Sequence, residues 1–483
     1  MIRCWDSAFA TEPCYRAATV GERPHKLSQL TASLFLALSA FAAEPVDLII
    51  TGRHVVTMDA AQRIIAGGAV AVKGERIVAV GARVEIDKAY KAKTRIDRPD
   101  ALVTPGLVNT HTHAPMSLFR GIADDLRLAD WLEKYIFPVE ARNVTPEFVR
   151  AGTQLAVLEM LLGGTTTYTD MYYFEEIIAE VTAAAGLRGV LGQTVIGFPV
   201  PDAKTPQLAL TRTEAFLKQF AGHRLITPAV APHALYTNSD ETLQAARALA
   251  NKYGAPLLIH VAETKREFDE SKLKRGFTPV QALAKLGVFD GRTVAAHGIW
   301  LEDADIAILA SKRVGVAHCP SSNMKLSSGV APLLKLLKSG IPIGLGPDGP
   351  AGSNNDFNLF EEMDLAAKLQ KITTMDPEAL PAKTAFTMAT IGGARVLGME
   401  KEIGSLEPGK RADIISIRMD GPHAWPMFNV YSQLVYALKA SDVNDVIVNG
   451  RPLVRDRKAL TLDKTKIQVE TERYLGRIRK SLE

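Results

Sequence analysis

The chain has 483 residues, 47% hydrophobic and 23% charged, a balance that excludes a disordered chain and fits a globular protein with a large core. Its 57 Lys and Arg against 53 Asp and Glu leave a net charge of +4 with no basic block or arginine-rich stripe, which speaks against a nucleic-acid partner. Cys4, Cys14 and Cys319 are too few for a disulfide framework or a cysteine-rich zinc site, and no apolar run reaches the ~20 residues of a membrane span.

At the start of the chain, Arg23, His25 and Lys26 precede an uncharged stretch at 30–43 (LTASLFLALSAFAA), and Ala40-Phe41-Ala42 has the small-x-small form of a cleavage site. That order is the layout of a secretory signal peptide, so residues 1–42 are expected to be a leader, with a mature chain exported from the cytoplasm. The alternative is an apolar helix capping the fold, or extra residues from a wrongly assigned start, in a protein that stays cytoplasmic.

From Val46 onward, β-branched runs at 47–51, 54–58, 69–72 and 76–80 are separated by Gly, Asp and Lys turns, and the same texture returns at 413–417, 443–448 and 452–454. Between them, apolar strand patterns at 101–108, 165–168, 189–194, 226–231, 256–261, 293–297, 315–318 and 341–346 alternate with helical ones such as 149–162, 240–253 and 279–286. Eight strands with intervening helices predict an α/β fold, a (β/α)8 barrel over 104–400. The flanking segments at 46–103 and 401–460 are expected to meet as one small β-sandwich, and 461–483 as a C-terminal helix.

Six polar residues fall at or just after strand ends, where a barrel gathers its catalytic groups. His111 and His113 close PGLVNTHTH, and residues i and i+2 of a strand face the same way, so both imidazoles can reach one cation. His260 ends its strand with Glu263 three residues on; His297 and Asp348 end two others. Each alone reads more readily as a strand-end side chain bonded to a loop backbone. Together on one rim, three imidazoles and a carboxylate suit Zn2+ or Fe2+ and leave room for a water.

The segments PGLVNTHTH, HVAET (260–264), AAHG (295–298), AHCPSSNMKLSSG (317–329) and GPDGPAGSNN (346–355) resemble the amidohydrolase superfamily, and within it the 5'-methylthioadenosine/S-adenosylhomocysteine deaminase branch. The resemblance spans about 46–460. It implies one zinc held by His111, His113, His260 and Asp348. No lysine ends the strand at 226–231, where two-metal members carry a bridging one. It further implies that Asp348 and His297 handle the attacking water, while Glu263 protonates a ring nitrogen. Residues 127–140 (RLADWLEKYIFPVE) resemble the branch's substrate loop, with Glu140 on the ribose, Trp131 against the 5'-substituent and His233 near the ribose or tail. Trp131 reads alternatively as a core residue on a helix face. Ser321, Ser322 and Asn323 are expected to shape a loop rather than act chemically, and Cys319 to be inert.

The function implied is hydrolytic deamination of an adenine nucleoside. Guanine deaminase and s-triazine hydrolase of the same superfamily are alternatives, and a non-catalytic barrel scaffold is a remote one. A small-molecule nucleoside partner and a homo-oligomer are expected. The carboxylate of S-adenosylhomocysteine would want an arginine, for which Arg188 and Arg212 are candidates that the sequence does not separate.

Overall fold

The computed structural model describes residues 43–482, so the expected leader at 1–42 lies outside the described residues. Strands β1 (Glu44–Val56), β2 (Ile64–Ala66), β3 (Gly68–Lys73), β4 (Arg76–Ala82) and β5 (Tyr90–Pro105) come first. Eight short strands follow: β6 (Leu107–Asn109), β7 (Thr165–Tyr172), β8 (Arg188–Val195), β9 (Ile226–Pro232), β10 (Leu257–Val261), β11 (Thr293–His297), β12 (Gly315–His318) and β13 (Ile343–Leu345). The series ends with β14 (Ile414–Arg418), β15 (Val443–Val448), β16 (Arg451–Arg455) and β17 (Lys458–Ala459).

β6 to β13 close, in chain order, into a parallel barrel. Nearly all of their residues are buried, because helices cover the outer face while side chains fill the interior, and this is why the strands read as continuous apolar runs. Two predicted helices fall within a residue of their expected ends, Asp240–Tyr253 and Pro279–Lys285. The first is capped where Ser239 accepts from Thr242 N, and it ends at Gly254 with φ +62, a conformation glycine adopts without strain.

The segments that flank the barrel, at 44–105 and 414–459, meet in one continuous hydrogen-bonded sheet of nine strands. Its centre is β1 paired in parallel with β5, with a register shift between Gly52 and His54 that merges two predicted strands into one. Ile50, Val70, Ile96 and Val103 from the first half pack with Ile414 and Ile447 from the second. Each such side chain contributes ~1.5–3 kcal/mol by leaving water. One expected strand is divided: 101–105 belongs to this sheet through β5, and only 107–109 enters the barrel. Gly106 makes the passage, since a Cβ there would collide with the Thr166 side chain. A buried ion pair, Arg188 to Asp413 at 3.1 Å, joins the barrel to the sheet, and Asn449 N also donates to Asp413 at 2.8 Å.

Candidate metal and catalytic centre

Ring closure between β13 and β6 rests on the pairing of Leu345 with Asn109, and it brings the segments leaving both strands together. Asp348 N donates to His111 O at 3.2 Å, and Thr112 Oγ1 donates to Asp348 O at 2.8 Å. The approach needs Gly346, where a Cβ would lie 2.7 Å from His111 N. Among the turns leaving the barrel, those at His297 (φ +72) and Asp348 (φ +67) carry non-glycine residues in the left-handed region. Strain of this kind, ~1–3 kcal/mol each, is held only where the surroundings over-determine it, and it aims both side chains into the mouth.

There the imidazoles converge. Nε2 of His111 and of His113 each lie 3.3 Å from Asp348 Oδ1. The His111 ring centroid is 4.9 Å from those of His113 and His260 and 5.5 Å from that of His297. The far nitrogens are anchored: His113 Nδ1 donates to Met171 O at 2.7 Å, and His260 Nδ1 to His233 O at 2.8 Å. Those bonds spend each Nδ1 proton and turn each Nε2 inward. His111 Nε2 is buried with no hydrogen-bond partner among the described residues, a cost that a bound cation would remove.

The charge states suit a cation as well. Burial, followed by the surrounding imidazoles, pulls His260 far below its ordinary range and His233 to about 3, so both are neutral. Burial opposes ionisation of Asp348, but the adjacent His111 and His113 rings prevail and hold it well below the carboxylate range. Neutral imidazoles and an ionised carboxylate are the donor set of a divalent metal. The four residues that the resemblance implied as ligands, His111, His113, His260 and Asp348, stand around this one mouth. His297 also offers a nitrogen within reach of His111 and His260.

Glu263 is buried beside His297, with Oε2 3.7 Å from Nε2, and burial raises its pKa. Glu267 holds that turn by accepting from Glu263 N at 2.9 Å. Across the pocket stands Glu140, 4% exposed, accepting from Tyr172 OH at 2.6 Å and Tyr173 OH at 3.3 Å. Burial pushes Glu140 up to about 7 against the pull of these bonds. Trp131 is a buried residue, as its alternative reading had it, yet it also lines this pocket; its indole N–H donates to Ala351 O at 2.7 Å. His233 lines the pocket too, with Nδ1 3.1 Å from Thr237 Oγ1. Outside lies a cleft of ≈1100 Å³ that shares Leu128, Leu132, Phe137, Tyr236 and Leu326 with the pocket.

Three expectations change. Neither candidate arginine reaches the pocket: Arg188 is committed to Asp413 and Asn449, and Arg212 pairs with Glu176 at 2.7 Å. Residues 320–325 form a helix, Pro320–Lys325, instead of a loop, and two of them touch the centre. Ser322 Oγ donates to Asp348 Oδ2 at 2.6 Å, and Asn323 Oδ1 lies 3.0 Å from His297 Nδ1. The tyrosines behind Glu140 were missed because the predicted strand stopped at 168, whereas β7 runs to Tyr172. Cys319 is buried, and burial pushes its thiol well up, which keeps it inert.

The sequence profile described as "Amidohydrolase family" matches residues 102–453. A protein named 5-methylthioadenosine/S-adenosylhomocysteine deaminase, from Thermodesulfovibrio yellowstonii, is 44% identical over 90% of this chain and 99% of its own length. A 5'-deoxyadenosine deaminase from Methanosarcina mazei is 43% identical over 88% of this chain and 97% of its own. Among solved structures, an adenosine deaminase from Xanthomonas campestris with bound zinc superposes with a TM-score of 0.89 at 38% identity, covering 91% of this chain and all of that one. Likeness on this scale, running through the end sheet, the barrel and its rim alike, means that the chain belongs to the amidohydrolase family.

Proposed function

We propose that the protein is a zinc-dependent hydrolytic deaminase of adenine nucleosides, in which water replaces the C6 amino group to give the inosine analogue and ammonia. The observation that carries this reading is that two metal-type triads sharing His111, one with His113 and Asp348 and one with His260 and His297, stand with two buried carboxylates around one pocket. Glu263 stands at the reacting end and Glu140 on the wall beside Trp131. The substrates named for the relatives share adenine and ribose and differ at the 5' position.

Zinc bound by His111, His113, His260 and Asp348 would supply a water acidified to a pKa of ~7. Asp348 takes a proton from the attacking water and passes it to the departing amine. Glu263, inclined by burial to hold a proton, donates it to the ring nitrogen beside C6 and makes that carbon electrophilic. His297 orients the attacking water by accepting one of its hydrogens. Glu140 accepts from the ribose hydroxyls, the role of an acceptor-only carboxylate facing a diol. Trp131 packs against the 5'-substituent and His233 contacts the ribose or tail. A long tail extends into the outer cleft, where Arg127 lines the wall and makes no ion pair among the described residues.

The test is a panel of adenosine, 5'-deoxyadenosine, methylthioadenosine, S-adenosylhomocysteine, guanine and a chlorotriazine, read by ammonia release or dechlorination with metal analysis alongside. Turnover confined to guanine or the triazine would overturn the assignment.

A further inference from the structure

We infer that Asn323 is a positioning residue that holds His297 in the tautomer protonated on Nδ1, so that Nε2 stands unprotonated toward the reacting water. Asn323 and His297 are each 1% exposed, and Asn323 Oδ1 is 3.0 Å from His297 Nδ1. A carbonyl oxygen only accepts, so the proton of this bond belongs to Nδ1. The Asn323 Nδ2 group is buried without a partner among the described residues. Leaving that donor unsatisfied is unfavourable, and the amide side chain is useful there through its oxygen. The opposite nitrogen of His297 faces Glu263 Oε2 at 3.7 Å, on the side where the proposed chemistry occurs. A proton on Nε2 would make His297 a donor there and remove its lone pair from the water.

The helix Pro320–Lys325 is placed to make this constraint rigid. Its Ser322 fixes Asp348 Oδ2 at 2.6 Å, one residue before Asn323 fixes His297. From behind, Glu362 accepts from Ser321 N at 3.2 Å and from Ser321 Oγ. One turn of helix, clamped on its outer side, thus sets the orientation of two reacting side chains. Among the described residues no backbone group bonds His297 Nδ1 in place of Asn323, in contrast to the carbonyls that orient His113 and His260. The imidazole that does not need to be a ligand is the one whose tautomer depends on a side chain.

The inference rests on the proposed deaminase reading for its kinetic arm only. Asn323→Asp offers an acceptor alone, so it enforces the Nδ1–H tautomer; Asn323→Leu enforces neither. Expected are kcat within about tenfold of the parent for Asn323→Asp, and a loss of about a hundredfold for Asn323→Leu at similar KM and metal content. A near-parental kcat for Asn323→Leu would overturn the inference, as would an equal loss in both variants. The second arm needs no substrate. In 15N-histidine spectra of the metal-free parent, with His297→Asn to assign the signal, His297 should carry its proton on Nδ1. Protonation on Nε2 would overturn the inference while leaving nucleoside turnover untouched. Absence of nucleoside turnover with Nδ1 protonated would instead count against the deaminase reading.

Discussion

The carbonyl oxygen of His233 receives two hydrogen bonds from His260, one from its backbone N–H at 3.0 Å and one from ring Nδ1 at 2.8 Å. A residue facing the substrate pocket therefore orients a metal-type ligand through its backbone, while its own imidazole stays available. Binding and metal retention should separate at this position. His233→Ala is expected to keep its full metal content, because the carbonyl remains, and to raise KM for nucleosides. His260→Ala should lose metal. Elemental analysis of both purified variants checks this, and metal loss in His233→Ala would show that the imidazole itself is needed.

Metal affinity should depend on pH in a stated direction. Burial works against a charged His113, yet its hydrogen bond and proximity to Asp348 prevail and push it up to about 9. Below that value the metal-free site holds a proton that must leave when a cation binds, so affinity rises with pH. The apparent Kd for zinc is expected to fall ~10-fold per pH unit between about pH 6 and 8. Competition titrations against a metal buffer measure it, and a flat profile would contradict the shared proton.

Glu140→Gln should act on sugar recognition. A hydrogen bond to a charged group is worth ~1.5–3 kcal/mol, so KM for adenosine should rise roughly 10–100-fold, with little effect on free adenine. Because burial raises Glu140 to about 7, it is ionised above that pH and neutral below it. KM for nucleosides in the parent enzyme should accordingly worsen as pH falls through about 7, and that trend should vanish in Glu140→Gln. Steady-state kinetics on nucleoside and base in parallel decide the point.

Glu263→Gln should act on the chemical step. Removing the proton donor is expected to lower kcat by ~10²–10⁴ with a small change in KM. Asp348→Asn, which removes a ligand and a proton carrier together, should exceed that loss and also reduce metal content. Comparable losses in both variants at full metal content would refute the separate roles.

Gly346→Ala places a methyl group 2.7 Å from His111 N, against backbone that has no flexible end to yield. The strand ends bearing His111 and Asp348 must then part, so weaker metal binding is expected before any loss of the barrel. Circular dichroism with metal analysis distinguishes that order from global unfolding.

The sequence alone determined the barrel and the cluster at its mouth. Parallel strands buried on both faces read as apolar runs, and the period of two in a strand put His111 and His113 on one side of it. Its resemblance to a known family supplied Glu140 and Trp131, which no periodicity marks. What depended on distant packing was decided only in three dimensions. Arg188 was a candidate for a substrate carboxylate until its partner proved to be Asp413, 225 residues away. Asn323 and Ser322 read as loop residues because their partners, His297 and Asp348, lie 26 residues off on neighbouring strands, and contact follows only when the barrel closes. Likewise the burial of Glu140 under Tyr172 and Tyr173, which sets its charge, joins segments 32 and 33 residues apart. Local pattern fixes which way a side chain leaves its own strand or helix, whereas tertiary closure fixes what it meets, and the charge, tautomer and orientation of a buried group follow from what it meets.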